Sequence, residues 1–327
     1  MYKFKPYLKT VVWGGDKIAP FKGIATRQEH IGESWELSGV KGHESVIDGG
    51  PCDGMTITEL AALRKDWLLG GKVYAQTGEV FPLLIKFIDA QSDLSVQVHP
   101  DDALAAVRHD GSKGKTEMWY VIGADEGAHL MSGLSEPLTP ETYVSRVAGG
   151  TITGALCNYG VAPGDVFFIP AGRIHAIGAG CFVAEIQQTS DITYRIYDYG
   201  RLGLDGRPRE LHVEQAREAI DYTVHPDYRS AYSPQKNVEV PLVSCEYFTT
   251  SLFDLDAPAS KNLSALDSFV IVVCVAGEGV LVDNEGDGSV HKVQIRQGET
   301  LLIPASSSTI EFHPASGSPF TCLASYM

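Results

Sequence analysis

The chain lacks paired cysteines, long apolar runs and an excess of positive charge, and each shortage excludes a class of protein. Its six cysteines (Cys52, Cys157, Cys181, Cys245, Cys274 and Cys322) are scattered, with no C-x-x-C pair. That spacing reads as reduced, mostly buried thiols and a cytoplasmic address rather than a disulfide framework. The first ten residues hold no apolar core of signal-peptide length. The longest apolar run, Phe269 to Ala276, is far too short to span a bilayer. With 26 Lys and Arg against 41 Asp and Glu, the net charge of −15 argues against nucleic acid or an anionic membrane as partner. A small anion remains possible as a ligand, provided that the chain builds a locally basic pocket.

What is present is β-rich and punctuated by turns. A length of 327 residues allows two domains. Short apolar or alternating segments bounded by Gly and Pro recur along the chain, among them Phe81 to Ile88, Leu94 to His99, Glu117 to Ile122 and Val166 to Ile169. Helical signals are few. Thr56 with Glu59 forms a capping box ahead of Leu60, Leu63, Trp67 and Leu68. Thr139-Pro140 opens a short helix, and Leu211 to Asp221 reads as another. This pattern predicts an all-β barrel or jelly-roll core and too few helices for a doubly wound sheet. Residues 222–238, rich in Pro, Tyr and Ser, read as a linker, which predicts domains at 1–235 and 236–327.

The second half echoes the first. Gly298 to Pro304 repeats Gly164 to Pro170 at an offset of 134 residues, and Phe269 to Gly279 resembles Glu117 to Gly127. Ser306 and Thr309 stand where Gly172 and His175 stood, and Phe269 where Glu117 stood. This is the mark of a duplication whose second copy lost its polar site and serves a structural role.

The segment Gly164 to His175 organises the first copy. A strand, Val166 to Ile169, runs into Pro170 and Gly172, which turn the backbone before His175. Glycine, five residues, proline, one residue, glycine, two residues, histidine resembles the second signature of the cupin superfamily. That resemblance implies a metal-holding β-barrel, and with the internal echo it implies two jelly-roll barrels with short helices inserted.

Four upstream and local side chains suit a metal. Gln97 and His99 lie two apart on a predicted strand and so share a face. Glu117 begins the next strand, placed on a neighbour, and His175 completes the set. Two imidazoles, a carboxylate and an amide oxygen form a mixed N/O site that suits one Zn²⁺ with an open position. Cupins with His-x-His at this point often hold iron or manganese, and Gln97 in place of the first histidine makes redox iron less natural. Lys86 interrupts an apolar strand, Lys115 stands two residues before Glu117, and Asp191 and Arg195 follow a strand four residues apart. Three cations beside a metal in so acidic a chain point to an anionic substrate such as a sugar phosphate.

Further segments carry a closer resemblance: Val12-Trp13-Gly14-Gly15, Gly32 to Glu36, Gln97-Val98-His99-Pro100-Asp101-Asp102, Gly114 to Tyr120, Ile169 to His175 and Glu185 to Arg195. In this order they resemble the type I mannose-6-phosphate isomerases in their short bacterial form. The resemblance implies zinc on Gln97, His99, Glu117 and His175, Arg195 as an active-site residue, and Lys86, Lys115, Glu185 and Asp191 lining the pocket. It implies interconversion of mannose 6-phosphate and fructose 6-phosphate through an enediol, in a monomer or homodimer. Arg195 suits the developing enediolate charge but is a poor base; the base is open among Glu185, Asp191 and a lysine. The competing readings are a cupin dioxygenase, a nucleotide-sugar epimerase and a sugar-binding module without turnover.

Overall fold

A computed structural model of the chain describes residues 1–286 and 288–327. The first half runs β1 (Tyr2–Lys5), β2 (Tyr7–Gly15), α1 (Ile18–Lys22), β3 (Ile31–Ser38), β4 (Val46–Ile47), α2 (Ile57–Leu69), α3 (Gly71–Thr77), β5 (Leu83–Asp89) and β6 (Val96–Val98). It continues with α4 (Asp102–Arg108), β7 (Glu117–Ala124), β8 (His129–Leu134), α5 (Pro140–Ala148), β9 (Leu156–Gly160), β10 (Val166–Ile169), β11 (His175–Ile177), β12 (Cys181–Gln188), β13 (Tyr194–Tyr197) and α6 (Val213–Ala219). The rest is strand: β14 (Glu239–Ser244), β15 (Thr249–Leu255), β16 (Ala259–Asn262), β17 (Val270–Glu285), β18 (Val290–Arg296), β19 (Thr300–Ile303), β20 (Ser307–Pro314) and β21 (Phe320–Tyr326). The mainly-β expectation holds.

Two antiparallel sheets make the N-terminal part: six strands in the order β10-β7-β12-β5-β3-β2, and five in the order β13-β6-β11-β8-β9. Strand alternation explains how they stack. On β12, Cys181 and Val183 point inward with Trp119, Val121, Phe167, Ile169 and Ile177. Phe182, Ala184 and Ile186 point the other way, into a core shared with Leu60 and Leu68 of α2 and with Phe248, Phe269 and Ile271 of the C-terminal part. The five-stranded sheet is covered on its back by α5 and α6, where Val96, Val98, Tyr194 and Ile196 meet Tyr143, Ala216 and Ile220. Each fully buried apolar side chain of this kind contributes roughly 1.5–3 kcal/mol, which offsets the cost of the charges buried between the sheets.

The C-terminal part hangs on β17, which pairs with β19 and β21 at one end and with β18 and β20 at the other. The first strand of the chain belongs here too: β1 pairs with β19, Tyr2 opposite Leu302. A buried contact ties the halves, since Lys22 Nζ reaches both Glu36 carboxylate oxygens at 2.7 Å and donates to the Gly298 carbonyl at 2.5 Å.

Local predictions hold where the signal was chemical. Thr56 Oγ1 accepts from Glu59 N, and Glu59 Oε2 accepts from Thr56 N at 2.8 Å. The apolar face of α2 is interrupted at Lys65, where φ is 45°, and Leu63 is exposed. The echo between the halves holds for β10 and β19. Its second part is out by one residue: Ile169 faces Glu117, whereas Ile303 faces Val270. Val270 therefore occupies the place of Glu117, inside the C-terminal core, and Phe269 points into the shared core. A one-residue slip exchanges the faces of a strand, which is why sequence similarity alone misassigns it. Among the described residues, no helix is long and apolar enough to cross a membrane.

Candidate active site

The turn that delivers His175 is held by its own backbone. Gly172 has φ +87°, a left-handed conformation that favours glycine, and a Cβ there would sit a tight 3.1 Å from the Ala219 carbonyl. Gly172 N donates to the carbonyl of His99 at 2.9 Å. One ligand candidate thus positions the turn that carries another. Beyond it, β11 lies beside β6 with His175 opposite Gln97, and β13 lies on the other side of β6 with Arg195 opposite Gln97. Side chains in register share a face, so Arg195, Gln97 and His175 form a row across the five-stranded sheet.

Two placements differ from the sequence reading. The strand β6 is short, and His99 lies one residue past its end. Glu117 does open a strand, but β7 belongs to the facing six-stranded sheet and does not neighbour β6. The consecutive strands cross between layers, so Glu117 approaches the histidines across the gap instead of along a sheet.

The result is a tight, buried cluster. Glu117 Oε2 is 3.5 Å from His99 Nε2, and Oε1 is 3.4 Å from His175 Nε2. His99, Glu117 and His175 are fully buried. Both imidazoles face away from each other at their far nitrogens: Nδ1 of His99 lies 2.9 Å from the Ile192 carbonyl, and Nδ1 of His175 lies 2.8 Å from the Arg173 carbonyl. A ring that donates from Nδ1 turns an Nε2 lone pair toward Glu117. Among the described residues, neither carboxylate oxygen of Glu117 nor Nε2 of His99 finds a hydrogen-bond donor or acceptor of suitable geometry. Burial and the Lys115 charge push His99 down to about 3, and burial lowers His175. Burial works against the Glu117 charge, but the charges around it, led by Lys115, outweigh it and hold the carboxyl well below its usual range. Neutral imidazoles, an ionised carboxylate and orphaned inward atoms together form a donor set for a divalent cation. One ligand atom from each of the three lies within 4.8 Å of the others, close enough for a single ion to be shared among them.

Charges extend from this cluster across the six-stranded sheet. Lys115 Nζ lies 3.2 Å from Glu117 Oε2. On the next strands Glu185 faces Lys86 in register, Nζ to Oε1 3.1 Å, and Glu185 Oε2 accepts from Trp119 Nε1 at 3.0 Å. Burial and the Glu117 charge raise the Glu185 carboxyl even though Lys86 and Lys115 oppose them. Burial disfavours the Lys86 ammonium, but Glu185 and Glu33 more than restore it and raise its pKa. Arg195 is half-buried: Nη1 donates to the Glu210 carbonyl at 2.9 Å, and Nε is buried with no partner. Asp191 is exposed, and its charge is felt at Lys86 behind those of Glu185 and Glu33. Motif reading missed the role of Glu33, Trp35 and Trp119 around the charges. The signal present in the residues is the spacing of Glu33 and Trp35, two apart on an alternating strand and therefore on one face.

The family model for the phosphomannose isomerase type I catalytic domain matches residues 1–119, and that for the mannose-6-phosphate isomerase cupin domain matches residues 239–315. The mannose-6-phosphate isomerase ManA of Bacillus subtilis (strain 168) is 34% identical over 304 residues, covering 92% of either chain. The chain belongs to the type I mannose-6-phosphate isomerase family. The mannose-6-phosphate isomerase of Streptococcus mutans serotype c is also 34% identical, over 92% of this chain and 91% of that one. A crystal structure of the mannose 6-phosphate isomerase from Bacillus subtilis superposes with a TM-score of 0.87 at 30% identity, covering 100% of this chain and 99% of that one. A variant of the phosphomannose isomerase from Salmonella typhimurium shares the fold, with a TM-score of 0.77 at 17% identity, covering 100% of this chain and 99% of that one. The match to the cupin-domain model begins at residue 239, past every residue of the buried His99, Glu117 and His175 cluster.

Proposed function

We propose that the chain interconverts mannose 6-phosphate and fructose 6-phosphate by proton transfer between C1 and C2 through an enediol, at the cluster of His99, Glu117 and His175. The observation that carries this reading is the convergence of two neutral imidazoles and an orphaned, ionised carboxylate beside Lys115. We assign one Zn²⁺ per chain to Gln97, His99, Glu117 and His175; when bound, it supplies fixed positive charge that polarises the sugar oxygens. The chemistry of the donors, nitrogen and oxygen without sulfur, fits that ion.

The remaining work falls to the chain's own side chains. Lys86 and Lys115 offer two cations and Glu33, Glu117 and Glu185 three carboxylates, all buried. Those five charges sum to −1, so a divalent cation turns the pocket net positive and suited to a phosphorylated sugar. Lys86, Lys115 and Arg195 bind the substrate and its phosphate, and the planar fork of Arg195 neutralises enediolate charge as it develops. Lys115 keeps Glu117 ionised. Glu185, with a carboxyl raised toward the range where proton transfer is efficient, and Asp191 are the candidates to move the proton. Residues 1–235 carry this site and residues 236–327 brace it, in a soluble cytoplasmic enzyme.

The deciding experiment incubates the purified, metal-loaded chain with mannose 6-phosphate and reads fructose 6-phosphate by a coupled assay, with metal content measured on the same sample. Turnover with about one zinc per chain is the expected result. Absence of turnover in a folded, zinc-loaded sample sinks the reading. Oxygen uptake in place of isomerisation moves the chain to the dioxygenase class.

A further inference from the structure

The strand β3 divides its carboxylates between two faces. Glu36 turns outward to Lys22 and the C-terminal part, whereas Glu33 and Trp35 turn inward toward the site. Glu33 is only 9% exposed and makes three contacts. Its Oε2 accepts from the indole Nε1 of Trp35 at 2.6 Å and lies 3.7 Å from Lys86 Nζ; its Oε1 lies 3.7 Å from Lys9 Nζ. The indole of Trp35 also lies under the Lys86 ammonium, 5.1 Å from ring centroid to Nζ. Lys86 is thus gripped from behind by Glu33 and Trp35 and from the pocket side by Glu185.

The geometry points to Glu33 as a positioning residue that acts through Lys86. This rests on the proposed isomerase reading, in which Lys86 binds the sugar phosphate. A buried ammonium with one carboxylate collapses onto it, and Glu185 is that carboxylate. A second anion on the far side divides the attraction and so places the ammonium between two partners, available to a third. The same charge also opposes an incoming anion, and a KM that falls in Glu33→Gln means that this repulsion outweighs the placement and overturns the inference. Trp35 fixes which oxygen of Glu33 faces Lys86, because its N–H is satisfied only by Oε2. Burial opposes the Glu33 charge, but Lys86, Lys9 and the Trp35 hydrogen bond outweigh it, so this carboxylate stays ionised at neutral pH. Glu33 touches none of His99, Glu117 and His175, so its removal leaves the metal cluster intact.

The test measures kcat and KM separately in Glu33→Gln and Glu33→Asp, with zinc content and unfolding temperature on each sample. Glu33→Gln keeps size and a hydrogen-bond acceptor for Trp35 while removing the charge. The expected result is a KM for mannose 6-phosphate raised about tenfold, kcat within threefold of the parent, and metal content unchanged. Glu33→Asp, which restores the charge one methylene further back, recovers part of the lost affinity. Should Glu33→Gln fold poorly, Glu33→Asp carries the test alone: its carboxylate, drawn back by one methylene, is expected to raise KM about threefold at unchanged kcat and zinc content. An unchanged KM in a folded variant overturns the inference, and so does a loss of kcat or zinc at unchanged KM. A parent chain that fails to turn over mannose 6-phosphate counts against the isomerase reading instead, so the two failures are distinguishable.

Discussion

Gln97 stands in register with His175, and the two side chains meet with 3.2 Å between the amide Nε2 and the imidazole Nε2. A half-turn of the amide presents its carbonyl oxygen in place of its NH₂, which is the donor a cation requires. Gln97 is the one amide of the set, and its share of the binding is correspondingly testable. In Gln97→Leu the zinc affinity is expected to fall at least roughly tenfold, since even outer partners of metal ligands are worth 10–100-fold. Competition with a chelator of known affinity reads this out. Unaltered affinity removes Gln97 from the ligand set and leaves the three-residue cluster.

His99 has no such freedom. Its ring is pinned at Nδ1 by the Ile192 carbonyl, and its carbonyl holds Gly172. His99→Ala is expected to lose metal and isomerisation together, with zinc well below one per chain and kcat/KM below a hundredth of the parent. Full activity in the demetallated variant removes zinc from the mechanism.

The sequence and structure agree where the determinant is local. The turn at Pro170-Ala171-Gly172, the capping box at Thr56 and the strand Val166–Ile169 each depend on neighbouring residues, and each lies where the residues predict it. Long-range pairing is another matter. The placement of Glu117 in the facing sheet depends on how the chain crosses between layers, which a two-residue period along one strand does not encode. The Val270-for-Glu117 correspondence was hidden for a related reason, because apolar residues fill both faces of β17 and nothing in the alternation marks the inner one. Glu33 was visible as part of a motif, but its contact with Lys86 needs the β3–β5 pairing to be known.

The two carboxylates proposed for proton transfer differ enough to be separated. Glu185 is buried in contact with Lys86 and Trp119, and Asp191 is exposed. If Glu185 moves the proton, Glu185→Gln lowers kcat by a factor on the order of 10²–10⁴ with substrate affinity retained, and Asp191→Asn changes kcat little. The reverse pattern assigns the step to Asp191. Single-turnover loss of deuterium from C2 of labelled substrate reads the step directly.

The Lys22–Glu36 pair supplies a stability test free of the site. Both side chains are nearly inaccessible, at 6% and 4% exposure, and burial raises the Glu36 carboxyl despite Lys22. Such a pair adds little net stability, yet removing one partner strands the other charge in the interior. Glu36→Gln is expected to cost about 3–5 kcal/mol and to lower the unfolding temperature by on the order of 10 °C. Activity per folded molecule is expected to stay at the parent level, because the pair lies on the face of β3 away from Lys86.

Acid pH separates the two faces of that same strand. The Glu33 carboxyl is held below its ordinary value of about 4.5, so the native state binds fewer protons there than the unfolded chain. Its contribution to stability is therefore complete above that ordinary value and is lost as pH falls through the lower, folded one. Glu36 has the opposite sign: its carboxyl is raised, so acidification protonates it first in the native state and relieves a cost. Glu117 is depressed as well and adds its own acid sensitivity to the parent, so the informative quantity is a difference between variants. Relative to the parent, Glu33→Gln is expected to lose less stability between pH 6 and the acid transition, and the gap in unfolding free energy between the two is expected to narrow as pH falls below about 4.5. Denaturant unfolding at a series of pH values, with zinc chelated throughout, measures that gap. A gap that stays constant down to the acid transition means that Glu33 is not held ionised by Lys86, Lys9 and Trp35.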